Sequence, residues 1–188
     1  MRLPILRPLF SVFNVLALAL LGMSSLAYRM VQQPPPTPKP PRLALAEQQS
    51  VQSVIYFSDA KVQNFVQQSR ELKVTQDDPV ELAQAALNAW AGGPVSPPKG
   101  AVAVLPKGSD VPTVWLRGEH FVVDLPASYN KLNYGVSGER MLLCSLTRTL
   151  LEQRGKDVMF LVGGRNSDSL LGHADLHAPY GREDCSNE

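Results

Sequence analysis

The sequence predicts a mixed α/β (α+β) domain set behind an N-terminal transmembrane helix and a proline-rich linker. Three observations predict it. An uncharged apolar stretch, Leu9–Tyr28, opens the chain. Six prolines crowd into residues 34–41. From Val51 onward, short β-branched and aromatic runs alternate with two long segments of helical periodicity. The boundaries fall at 1–30 for a signal-anchor, 31–51 for the linker, 52–182 for the domain and 183–188 for a polar tail.

Leu9–Tyr28 is long enough to cross a hydrocarbon core of roughly 30 Å as a helix. It exceeds the usual core of a cleaved signal peptide, although Ser25-Leu26-Ala27 would serve as a cleavage site. Arg2 and Arg7 precede it and Arg29 closes it. The short N-terminal tail favours leaving that end in the cytoplasm, so the expectation is a single-pass membrane protein with its domain on the extracytoplasmic side. No cysteine lies near the leader to carry a lipid. The proline run disfavours helix and central strand and suits an extended polyproline spacer.

Within the domain, Ser53–Asp59 reads as a strand and Ser69–Gln76 as a weaker one. Asp77–Pro94 reads as a helix: Asp78 caps it, Pro79 takes its first turn and Glu81 completes a capping-box pattern. Leu82, Ala85, Ala86 and Ala89 share one face, and Gly92-Gly93-Pro94 stops it. Gly100–Asp110 carries apolar residues and then a turn. Thr113–Leu125 reads as a hairpin about Arg117-Gly118-Glu119. Ser137–Gly155 is a second helix, capped by Ser137, with Glu139 near its positive end. Its apolar face is Met141, Cys144, Leu146, Leu150 and Leu151, widened by Leu142 and Leu143. Asp157–Gly164 is a buried-type strand. One small mixed sheet with two main helices on one face is the economical layering.

Composition narrows the function. Eighteen basic residues against seventeen acidic give a net charge of +1, with no basic excess to bind nucleic acid. Ser137 sits in a Gly-Val-Ser-Gly-Glu run rather than a nucleophile elbow, and a helix cap explains it. Gly163-Gly164-Arg165 is a turn, Asp77-Asp78 a helix start, and Glu183-Asp184 a polar tail. No catalytic residue and no cofactor site is expected. In an extended strand, His173, Asp175 and His177 would share a face and could ligate a metal, with His120 as a further imidazole. Cys144 and Cys185 could pair outside the cytoplasm, or Cys144 could stay a buried thiol. Trp90, Trp115 and Phe121 read as core, flanked as they are by apolar neighbours. Tyr129, Asn130, Asn133 and Tyr134, in the loop before the second helix, are the exposed candidates for a partner or ligand.

The order of these pieces resembles the GerMN domain family. The resemblance rests on VIYFSDA at 54–60, ALNAWAGGP at 86–94, LPKGS at 105–109 and VVDLP at 122–126. It continues with SGERMLLCSLTRTL at 137–150 and FLVGG to LLGHADLHAP at 160–179. It implies a sporulation- or germination-like envelope module that is not an enzyme and works as a scaffold by protein–protein contact. The partners implied are other envelope proteins or further copies of the chain. Peptidoglycan is the alternative ligand, favoured by a cleft of Tyr129, Asn130, Tyr134 and Trp115, whereas a flat apolar sheet edge would favour assembly. By the same resemblance Asp175 and Leu176 belong to a terminal motif in which Asp175 anchors the closing backbone, and the histidines are incidental. The chain departs from the family in carrying a transmembrane anchor instead of a lipidated cysteine, and one copy of the domain.

Overall fold

The computed structural model describes residues 11–32, 48–95 and 100–186. The proline run at 34–41, with Arg2 and Arg7, lies outside them. The chain divides into two units, Met1–Leu45 and Ala46–Glu188. In the first, helix α1 (Val12–Gln32) is 21 residues long, buries none of its side chains, and is long and apolar enough to cross a membrane. Such a helix serves as an anchor or a signal sequence.

The second unit holds two further α-helices and six strands. Strands β1 (Gln49–Asp59), β2 (Phe65–Val74) and β3 (Ala101–Val102) form one antiparallel sheet in the order β2-β1-β3. Strands β4 (Thr113–Arg117), β5 (His120–Leu125) and β6 (Asp157–Val162) form a second, ordered β4-β5-β6, with β5 and β6 parallel. The mixed α/β class stands, but the expected single sheet is two. β3 is only two residues long, so the first sheet ends there, and the β4–β5 hairpin takes β6 as its neighbour instead. Helices α2 (Pro79–Ala91) and α3 (Val136–Leu151) touch each other and both sheets, so the core is shared.

Local chemistry explains most elements. The Asp78 carboxylate accepts the Glu81 N–H at 3.2 Å, and Pro79 fills the first turn of α2. Glu81 does not close a reciprocal box on Asp78. Its carboxylate accepts the N–H of Thr75 at 2.6 Å and of Gln76 at 3.0 Å, which holds it below the usual carboxylate range. The buried face of α2 is Leu82, Ala83, Ala86, Leu87 and Trp90, rotated from the expected one because Trp90 points inward. The β4–β5 turn is Gly118-Glu119, and Gly118 takes the positive φ of 65° that a two-residue hairpin loop demands.

Helix α3 starts at Val136 behind Gly135, with no side-chain cap, so Ser137 does not cap it. It ends at Leu151, before Gly155. Gly155 answers a packing need: a Cβ there would run into the Phe121 ring, which is wholly buried. All seven expected apolar residues of α3 are buried, together with Glu139, Ser145, Thr147 and Thr149. Two of these polar groups lock the helix in place. Ser145 accepts the Trp90 indole N–H at 3.0 Å, and the Thr149 hydroxyl accepts the Tyr56 N–H at 3.0 Å. The second bond lays α3 along the open edge of β1. Cys144 and Cys185 are disulfide-bonded across 41 residues, both sulfur-bearing residues being 1% exposed, which resolves the alternatives the sequence left open.

Candidate functional site

Residues 171–178 form a string of bends, not a strand, so His173, Asp175 and His177 do not share a face. The cause is Glu139. This side chain, in the first turn of α3, is 0% exposed. Its carboxylate accepts Leu171 N–H at 2.8 Å, Ser169 hydroxyl at 3.2 Å and His173 N–H at 3.0 Å. A buried anion is tolerable only when its oxygens are satisfied, and here a loop thirty residues away folds around it. Downstream, Asp175 Oδ1 accepts both the His177 N–H at 2.9 Å and the His177 ring at 2.7 Å, while Asp168 contacts the other ring nitrogen at 3.1 Å. The His177 N–H, then its ring, depress the Asp175 carboxyl, and the Asp175 hydrogen bond raises the His177 imidazole. Both ring nitrogens therefore face carboxylates, and the Asp175 carboxylate's backbone bond reaches only two residues along the chain. His120 pairs with Asp157 at 2.7 Å across the β5–β6 register. Among the described residues no three His, Cys, Asp or Glu side chains group as a metal cluster.

The aromatic loop also differs from expectation. Tyr129 is 1% exposed, in a single 3-10 turn (Ala127–Lys131), and its phenol donates to the Asp110 carbonyl at 2.7 Å. Burial, then Asp110, push its pKa well up. Tyr134 is half-buried and donates to the Val104 carbonyl at 2.8 Å. Asn130 and Asn133 are exposed. The two phenols pin the loop to residues 104–110 and present no common surface with Asn130. Tyr134 instead lines a cleft of about 180 Å³ with Asp59, Val62, Val102 and Met141 beside the start of α3. Tyr129 is buried, Tyr134 is turned to the Val104 carbonyl, and Trp115 lies on the outer face of the β4–β5 hairpin.

Trp90 and Phe121 are core, as read from sequence, but Trp115 is 41% exposed. The hairpin register explains it. Val114, Phe121, Val123 and Leu125 face the helices, which turns Trp115 and Val122 outward as cross-strand partners. The parallel pairing then sets Met159, also 41% exposed, opposite Val122. The result is a flat row, Trp115–Val122–Met159, with half-buried Leu161 one row away. It is flanked by Arg117, His120 and Asp157 on one side and Thr113 and Asp124 on the other. This surface was legible in principle: a two-residue turn at Gly118-Glu119 fixes which residues stand opposite, and alternation then puts Trp115 on the face away from Phe121.

The fold and this surface define a small α/β module with a flat aromatic–aliphatic sheet face. The chain belongs to the Germane family, described as sporulation and spore germination, which it matches over residues 54–168. Solved structures share the fold. The tandem GerMN domains of the sporulation protein GerM from Bacillus subtilis are 23% identical, with a TM-score of 0.54, over 72% of this chain and 48% of theirs. The first of those domains alone is 23% identical, with a TM-score of 0.51, over 71% of this chain and 98% of it. A candidate lipoprotein from Clostridium perfringens is 22% identical, with a TM-score of 0.50, over 74% of this chain and 91% of its own. No curated protein matches the chain.

Proposed function

We propose that this chain is a non-catalytic assembly module of the bacterial cell envelope, held at the membrane by α1 and acting by protein–protein contact on the extracytoplasmic side. The observation that carries this reading is the exposed Trp115–Val122–Met159 row. An exposed aromatic residue heading a flat apolar row with a charged rim suits an interface hot spot. Family membership supports an envelope role related to sporulation. The Cys144–Cys185 disulfide supports an oxidising compartment for the domain. The burial of Tyr129 and the placement of Trp115 on the sheet face favour contact over a wall-fragment cleft.

The test is a crosslinked pull-down from native membranes with the tagged full-length chain and its Trp115→Ser variant, read by mass spectrometry. The expected result is a defined set of envelope proteins captured by the wild type and lost with Trp115→Ser at unchanged melting temperature. Equal capture by both proteins removes the sheet face from the mechanism. Recovery of muropeptides alone replaces assembly with wall binding.

A further inference from the structure

The fold shields points along most of its strand edges, and leaves the long outer edge of β2 without such a contact among the described residues. The outer edge of β6 is paired with Tyr180 through Val158, by bonds of 3.0 and 2.8 Å. The outer edge of β4 gives its Val114 N–H to the Gln84 side chain at 3.1 Å. The open edge of β1 is capped at Tyr56 by Thr149 of α3 and at Ser58–Asp59 by β3, which is only two residues long. β2 is different. It runs for ten residues, and no backbone partner lies on its outer side among the described residues. The Asp59 N–H to Asn64 carbonyl bond at 2.9 Å sets the phase of the β1–β2 ladder. In that phase the even-numbered residues 66–74 bond to β1, and the backbone groups of Gln67, Ser69, Glu71 and Lys73 point outward. Their side chains are exposed as well. Such an edge is a ready template for another strand.

We infer that β2 pairs edge to edge with β2 of a second copy of this chain, antiparallel, about a two-fold axis through Leu72. Charge selects both the occupant and the register. Glu71 and Lys73 are neighbours on one face of the edge, and a two-fold centred on Leu72 sets Glu71 of each copy opposite Lys73 of the other. Both are outward-pointing residues, so these are the hydrogen-bonded pairs of the new ladder, repeated twice by symmetry. Shifting the axis to Glu71 sets two glutamates against each other. Shifts further towards Phe65 set Lys73 against Gln67 or the still more distant uncharged residues, leaving no ion pair. Charged residues normally blunt an edge against pairing; here their opposite signs allow one arrangement. Attachment of both copies to one membrane raises their effective concentration, so a short ladder suffices. This edge belongs to the sheet that does not carry Trp115, so the inference stands or falls apart from the proposed partner surface.

The experiment uses the full chain reconstituted in lipid vesicles. One preparation carries Glu71→Cys, another Lys73→Cys, and a short bis-maleimide is added to each alone and to a mixture. The expected result is covalent dimer several-fold more abundant in the mixture than in either preparation alone. In the cysteine-free background at these positions, Glu71→Lys and Lys73→Glu each weaken self-association roughly tenfold, and the double exchange restores it. Equal crosslinking in all three samples, or single exchanges without effect, overturns the inference. So does a double exchange that fails to restore pairing while the melting temperature is unchanged. Repeated in native membranes, crosslinking of residue 71 to other envelope proteins only gives the edge to a different strand and equally overturns it.

Discussion

Replacing Glu139 by alanine removes the one acceptor of three donors: the N–H groups of Leu171 and His173 and the Ser169 hydroxyl. The hydroxyl can turn to water, so it adds little. The two backbone donors are held in the geometry of the loop, and a stranded buried donor costs about 1–3 kcal/mol each. Leu171 is half-buried and His173 exposed, which draws the sum towards the lower part of that range, about 2–4 kcal/mol. For a unit the size of Ala46–Glu188, each kcal/mol moves Tm by roughly 4 °C, so the fall is roughly 8–16 °C. Glu139→Gln keeps one acceptor oxygen and presents an amide N–H₂ to the other donor, and falls between alanine and wild type. Calorimetry measures the global loss. Amide hydrogen exchange at Leu171 and His173 measures where it acts, and protection there is lost before protection in β5. A Glu139→Ala variant that melts within about 2 °C of the wild type, with both amides still protected, would refute the claim that this carboxylate organises the loop.

Two further outcomes follow from the same region. Denatured without reductant, the wild-type chain exposes no alkylatable thiol; reduction exposes two, and replacing Cys144 and Cys185 together by alanine lowers stability by about 4 kcal/mol from the 41-residue separation they close. Two reactive thiols before reduction would rule the bridge out. His177 titrates above the usual imidazole value of about 6.5 in an NMR pH series, and Asp175→Asn brings it down. The raised histidine stabilises the fold below its unfolded value and loses that as pH rises through its folded one. The depressed Asp175 contributes above its unfolded value and loses that as pH falls through the folded one. The contact is therefore fully present between about pH 4 and pH 6.5, and an unshifted His177 would mean that its ring and the two carboxylates are apart in solution.

What the sequence showed and what it concealed divide by range. Helix α2 was legible from Asp78 and Pro79 because its cap is made within four residues. The hairpin was legible from Gly118 for the same reason. The division into two sheets was not, since it depends on β3 stopping after two residues and on β6 joining β5 in parallel after a crossover through α3. Tyr129 looked like an exposed loop aromatic; only its contact with the Asp110 carbonyl, nineteen residues upstream, turns it inward. Glu139 looked like a helix-dipole residue. Its burial depends on a loop that begins thirty residues later. The alternation of His173, Asp175 and His177 suggested a strand, but alternation in sequence carries no face where a buried carboxylate holds the backbone leading up to His173 and the chain runs on in bends.

The burial of α3 bears on the proposed contact surfaces. Glu139, Met141 to Thr147 and Thr149 to Leu151 are all buried, so the helix at its centre has no continuous face left for a ligand. On the proposed reading, recognition falls on the sheets, and the two sheets offer different things: one a flat apolar face at Trp115, the other an open edge at β2. Two copies joined at β2 would display two Trp115 faces from one membrane-bound pair, and a partner that repeats would be held by both with an avidity neither face has alone. The two surfaces make separable demands. Trp115→Ser should abolish partner capture and leave self-association intact. Glu71→Lys should abolish self-association and leave a weaker, monovalent capture, recovered when Lys73→Glu is added. A Glu71→Lys chain that captures partners as strongly as the wild type would show that pairing at β2 contributes nothing to partner binding, whatever its part in bringing copies together.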